Sequence, residues 1–149
     1  MEDVSLVIVK PEVIGKIESV KKSLGNKGYL ILFEKSYSDW LSYARKIYSE
    51  FTAEEIQTYI DGYSKHSFGK EFIVLLVKSK KGNTLKRLNE DKGNFIRYQK
   101  QNDDSLRSEF GLSADYNLKH GNVTFVYCGI HCPESQKELD YQLNLFKLS

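Results

Sequence analysis

The side chains able to do chemistry cluster near the end of the chain. In NLKHGNVTFVYCGIHCPES, His120 follows Asn117, and His131 stands between Cys128 and Cys132 where an apolar run meets Pro133 and Glu134. Cysteine and histidine are the usual ligands of zinc, and a structural zinc site takes four. On an extended strand, however, Cys128, Ile130 and Cys132 face one way and His131 the other. The remaining histidine is His66 and there is no C-x-x-C pair, so a metal held by protein side chains is not expected. A second chemistry suits the stretch better. Pro133 fits a first helical position and Glu134 a first turn, so a helix starts just after His131. Helix N-termini bind phosphate and disfavour a nearby imidazolium. A neutral imidazole beside a phosphate is a nucleophile, whereas the plain reading is a polar residue that ends a strand.

The elements that must position these residues follow from hydrophobic period. Residues 4–10 (VSLVIVK), 29–33 (YLILF), 72–77 (FIVLLV) and 123–130 (VTFVYCGI) are strand-like runs. The 12–24 stretch carries apolar residues at helical spacing, and 38–51 does the same with Trp40, Leu41, Ala44, Ile47 and Tyr48. The 52–63 stretch opens on a capping-box pattern, Thr52 and Glu55. Short helices are expected at 83–89 and 105–110, loops near 91–104 and 111–122, and a closing helix over 133–148. The order βαβ, helical insertion, βαβ describes an α+β, ferredoxin-like split βαβ domain: a four-stranded antiparallel sheet with helices packed on it. No repeat, low-complexity tract or linker interrupts the chain, so one domain over 1–149 is expected.

Composition narrows the function classes. An apolar share of 40% and aromatic share of 13% fit a folded protein. No 18-residue apolar run is present, and MEDVSLVIVK lacks the features of a secretory signal, so a cytoplasmic protein with reduced thiols is expected. The net charge of +2 makes no general case for a polyanionic partner. Between Lys78 and Lys100, though, eight Lys and Arg residues face only Glu90 and Asp91, a segment able to attract phosphate.

Two stretches carry a family resemblance. SLVIVKPEVIGKIESVKKSLGNKGYLIL resembles the opening of nucleoside diphosphate kinases, with Lys-Pro-acid after the first strand and Lys-Gly-aromatic before the second. SLRSEFGLSADYNLKHG is similar, without a gap, to the family's segment running from Leu-Arg through acid-Phe-Gly to Asn-x-x-His-Gly. The resemblance covers most of the chain and implies the ferredoxin-like fold already reached. It implies that Lys10 and Arg107 contact the transferred phosphate and that Asn117 contacts the nucleotide sugar. It puts Phe51 at the position of a tyrosine close to the catalytic histidine, Tyr59 where an aromatic ring stacks on the base, and Arg87 near a further phosphate arginine.

Two histidines compete for the nucleophile's place. By motif it is His120, since Arg107, Asn117, His120 and Gly121 keep the family spacing. By position it is His131, because the family's histidine directly precedes the last helix. The motif reading is preferred: it needs only roughly eight extra residues before the helix, which loops accept cheaply. It leaves His131 at the end of a lengthened strand and Cys128 packed inward. Glu138 is the approximate counterpart of the family's histidine-orienting glutamate. Glu12 replaces an aspartate, Phe51 lacks the tyrosine hydroxyl and Asn122 stands where the family has a serine.

The resemblance implies ping-pong transfer of a terminal phosphate from a nucleoside triphosphate to a diphosphate through a phosphohistidine. Mg²⁺ would ride on the nucleotide phosphates, and the enzyme would be a homo-oligomer, a hexamer, tetramer or dimer. A non-catalytic module for nucleotide binding or protein assembly is the alternative. Single-stranded nucleic-acid binding through 78–100, with Phe95 and Tyr98, is a third class, weakened by the lack of the usual aromatic, Gly-rich strand motif.

Overall fold

A computed structural model describes residues 3–148. Met1, Glu2 and Ser149, the ends of the domain expected over 1–149, lie outside the described residues. Four strands form one antiparallel sheet: β1 (Ser5–Val9), β2 (Tyr29–Tyr37), β3 (Phe72–Ser79) and β6 (Ile130–His131), in the order β2-β3-β1-β6. With six α-helices among the described residues beside it, this is the α+β, ferredoxin-like arrangement expected from the sequence.

The strand β1 lies inside the sheet and is buried along its whole length, which is why SLVIV is apolar without alternation. Its two faces serve two cores. Leu6 and Ile8 pack with Trp40, Phe72 and Leu139, while Val7 and Val9 pack with Val20, Leu24, Leu88 and Leu106. The period of two thus divides the interior in two.

The helices are α1 (Ile17–Asn26), α2 (Trp40–Ile47), α3 (Ala53–Lys65), α4 (Thr84–Lys92), α5 (Leu106–Phe110) and α6 (Gln136–Leu145). The capping box of α3 forms as read: Thr52 Oγ1 accepts from the Glu55 N–H (3.1 Å), and the Thr52 N–H donates to Glu55 Oε1 (2.8 Å). Among the described residues no helix is long and apolar enough to cross a membrane.

Besides the closing helix, expected over 133–148 but running from Gln136 to Leu145 behind its cap Ser135, which leaves Pro133 and Glu134 ahead of it, four elements differ from expectation. The helix expected over 12–24 opens as a 3₁₀ helix, Pro11–Lys16, which follows an extended Lys10. The strand β2 runs on to Tyr37 because β3 pairs with it that far, with Leu32 the extra residue of a bulge. The helix expected over 38–51 stops at Ile47, where Tyr48 leaves helical geometry (φ −101°, ψ 55°).

The fourth difference bears on function. The strand expected over 123–130 breaks in two. Val123–Phe125 (β5) folds back on Leu118–His120 (β4) as a hairpin across Gly121 and Asn122, and only Ile130–His131 reach β1, opposite Val9 and Ile8. The break falls at Gly129, whose φ of +78° suits glycine, and a Cβ there would sit 3.0 Å from both the Phe110 carbonyl and Val13. His131 therefore ends a short strand, not a lengthened one.

Candidate functional site

The chain reversal at Gly129 gathers charge at one end of β1. Lys10, the residue after that strand, is 1% exposed. Such a burial is tolerable only with partners. Its Nζ lies 3.2 Å from Glu12 Oε2, donates to Tyr59 Oη at 3.1 Å and stands 3.5 Å from Cys128 Sγ. Burial works against the ammonium, yet the negative groups around it, Cys128 and Glu12 first, hold its pKa well above the ordinary lysine value. The Glu12 carboxylate is itself fixed, accepting from Tyr63 Oη (2.7 Å) and the Gly129 N–H (3.1 Å). The tight 3₁₀ turn after β1 puts Glu12 back over Lys10.

Arg107 comes from the short helix α5 and donates through Nε to the Ile130 carbonyl at 2.9 Å, which ties it to β6. Lys10, Arg107 and Cys128 border a cavity of about 180 Å³, together with Tyr48, Phe51 and Phe125. Phe51 and Phe125 meet edge to face at its rim, with ring centroids 5.1 Å apart. Burial pushes the Cys128 thiol up, but the charges of Arg107 and Lys10 outweigh it and leave the pKa below the ordinary thiol range. Cys132, also a free thiol, is pushed up to about 12 by burial.

His131 flanks this group. Its ring meets Tyr48 edge-on at 5.4 Å, and its Nε2 lies 3.2 Å from Glu138 Oε1 on α6. Burial lowers its pKa below the usual histidine value; Glu138 opposes the shift and the positive Arg107 adds to it. The ring is thus neutral at neutral pH. With Nε2 facing a carboxylate, the proton belongs on Nε2 and the lone pair on Nδ1. Nδ1 has no hydrogen-bond partner among the described residues.

The other expected site residues lie as follows. His120 ends β4 with its side chain 40% exposed, its Nδ1 3.3 Å from Thr58 Oγ1 and its Nε2 3.8 Å from Glu54. Like His131, it does not line the cavity, and the chain after it turns back as a hairpin instead of entering the sheet. Tyr59 lines the cavity, but its ring stacks on Tyr127 (5.3 Å, 8° between planes) and its hydroxyl serves Lys10, so that face is closed to a base. Asn117 spends its Nδ2 on the Tyr98 carbonyl (2.8 Å) and Arg87 its Nε on the Gly82 carbonyl (3.0 Å); neither lines the cavity.

Sequence reasoning missed Tyr48, taken as one apolar position of a longer helix, and gave Glu12 too little weight. Nothing local marks Tyr48. For Glu12 the signal was there: an acid two residues after a lysine that ends a fully apolar strand.

No protein-family model matches the sequence, and a search of the curated proteins finds no match. Among solved structures the fold is similar to the nucleoside diphosphate kinase of Aquifex aeolicus, with a TM-score of 0.66 and 18% sequence identity over 97% of this chain and 94% of that one. At that identity the likeness is one of fold.

Proposed function

We propose that this chain is a phosphotransferase of the nucleoside diphosphate kinase type, with His131 as the nucleophile in place of the motif-matched His120. One observation carries the reading: a neutral histidine with its Nε2 on a carboxylate packs against Tyr48 and feels the charges of Arg107 and Lys10, three residues that, unlike the histidine itself, line a phosphate-sized cavity. His131 Nδ1 attacks the terminal phosphorus of a nucleoside triphosphate, the P–O bond to the leaving diphosphate breaks, and the diphosphate departs with that electron pair. A second nucleoside diphosphate then attacks the phosphohistidine through a terminal oxygen, the P–Nδ1 bond breaks, and its electron pair returns to Nδ1 as the histidine is restored. Lys10 and Arg107 oppose the charge on the transferring group, and the planar fork of arginine fits a phosphate edge.

Mg²⁺ belongs to this reading as a passenger of the nucleotide. Among the described residues no three His, Cys, Asp or Glu side chains are placed to hold a metal, and Glu12 is committed to Lys10, Tyr63 and Gly129. Nucleotide phosphate oxygens would hold the ion, and it would supply neutralisation of their charge. Self-association is also part of the proposal: β2 is an unpaired sheet edge with Leu30, Leu32 and Phe33 exposed. The two free thiols suit a reducing compartment, and we place the protein in the cytoplasm.

Labelling with a γ-phosphate-labelled nucleoside triphosphate tests the reading. An acid-labile adduct should form, survive His120→Ala and vanish in His131→Ala. Loss in His120→Ala alone returns the role to the motif histidine, and no adduct on the unmodified protein ends the enzymatic reading. The second reading, a module that binds nucleotide without turnover, is favoured by the closed ring face of Tyr59 and the three partners already held by Lys10. Nucleotide binding without adduct would select it.

A further inference from the structure

The His131–Glu138 pair has a third member that the transfer scheme does not use. Gln142 lies one turn beyond Glu138 on α6 and is 1% exposed. Burying an amide costs free energy unless its polar atoms find partners, and here only one end does. Its Nε2 donates to Glu138 Oε1 at 3.1 Å and stands 3.3 Å from His131 Nε2, while its Oε1 is buried with no partner. An apolar residue would fill that place at lower cost, so the amide N–H₂ must matter where it points.

The orientation of the amide is fixed by its neighbours. Turned over, Gln142 would set its Oε1 against Glu138 Oε1, two acceptors at hydrogen-bond distance. As placed, every acceptor on the carboxylate has a donor. Oε1 takes Gln142 and His131, and Oε2 takes the Glu134 N–H at 3.0 Å. The Glu138 backbone is pinned as well, since its N–H donates to the helix-capping Ser135 Oγ at 3.1 Å.

The tautomer of His131 follows from this arrangement. With the proton on Nε2, both His131 and Gln142 donate to Glu138 Oε1, and Nδ1 is left as the free lone pair. With the proton on Nδ1, a bare Nε2 would accept from the neutral Gln142 amide at 3.3 Å but would face an ionised carboxylate oxygen at 3.2 Å, and the charged contact outweighs the neutral one. We infer that Gln142 is a positioning residue for His131: it holds the Glu138 carboxylate against Nε2 and so keeps the nucleophilic lone pair on Nδ1. The inference rests on His131 as the reacting histidine. Besides Glu138 on α6, the charged and titratable groups around the ring are Arg107 from α5, Lys10 from the end of β1 and Tyr48 after α2.

The test separates this role from packing. Gln142→Met keeps the volume and removes the donor. In protein labelled with ¹⁵N-histidine, the unmodified chain should show His131 as the Nε2–H tautomer, and Gln142→Met should shift the signal toward a mixture. The same variant should lower kcat about tenfold with KM within about twofold, the pattern of a group acting on the chemical step. Glu138→Gln removes the same contact from its other side, so the double variant should lose no more than the worse single one. An unchanged tautomer in Gln142→Met, or additive losses in the double variant, would overturn the positioning role. If the unmodified protein forms no phosphohistidine, the transferase reading fails while the tautomer spectra still decide what Gln142 does.

Discussion

At the scale of single residues, the electrostatics around His131 set the pH response. Its pKa lies below the ordinary value through burial, with Glu138 opposing the shift and Arg107 reinforcing it. The kcat/KM of the proposed transfer should therefore be level at neutral pH and fall on the acid side with an apparent pKa below about 6.5. A pH–rate profile checks this, and an acid limb centred above that value would contradict it. Stability follows the same sign. His131 binds its proton less readily when folded, so the unfolded chain takes up more protons as pH drops, and stability declines below about pH 6.5. Glu138, held below its ordinary value by the His131 hydrogen bond, and Glu134, held there by Lys92, contribute stability that is lost as pH falls through their lowered folded values. Urea unfolding at pH 7.5, 5.5 and 4.5 should show a steady drop.

The two cysteines give a second residue-scale prediction. Iodoacetamide at neutral pH should alkylate Cys128, which borders the cavity between Arg107 and Lys10, well before Cys132, and nucleotide should slow the reaction. Peptide mass spectrometry over time reads the order, and faster labelling of Cys132 would contradict the charge arrangement. Lys10 and Arg107 could be picked out from sequence because motif and chemistry coincide at each. The choice between His120 and His131 could not. Spacing along the chain records which residues match a pattern, while a histidine's place in the site depends on where the last strand joins the sheet. That turns on one backbone conformation at Gly129.

At the scale of elements, the β4–β5 hairpin governs access. A cavity of about 180 Å³ admits a phosphoryl group but falls short of the roughly 300–1,000 Å³ of a site for a whole small-molecule ligand. Phe125 of the hairpin, edge-on to Phe51, narrows the rim. The proposed transfer therefore requires the hairpin to move aside for the rest of the nucleotide. Phe125→Leu, which keeps an apolar side chain and removes the ring contact, should speed association of a fluorescent nucleoside diphosphate in stopped-flow mixing; slower or unchanged association would show that the rim is not the barrier. The helices and the four-stranded sheet were readable because hydrophobic period reports burial directly. The hairpin was not: VTFVYCGI has one continuous strand-like composition, and the packing of Tyr127 together with the bend at Gly129 divides it. The Tyr127 hydroxyl donates to the Tyr59 carbonyl at 3.0 Å through a gap left by Gly62, a glycine inside α3 that a helix keeps at a cost of about 1 kcal/mol.

At the scale of the whole molecule, the exposed β2 edge predicts assembly. Its nine residues carry Glu34 and Lys35 side by side, so two copies set antiparallel can pair opposite charges. Sedimentation should show a species larger than the monomer, and Leu32→Lys should shift it toward monomer with little loss of fold. A monomeric unmodified protein would remove this surface from the proposal.

The short strand β6 has a consequence for the order in which the molecule comes together. It pairs Val9 with Ile130 and Ile8 with His131, across most of the chain, with only two rungs. Contacts so distant in sequence pay their closure entropy late, so the β1–β3 and β2–β3 ladders have reason to form first. During synthesis Lys10 and Glu12 emerge early and wait, while Gly129, Ile130 and His131 are still to be made. The charged centre is thus completed late, and a nascent chain already holding most of its sheet still has no site.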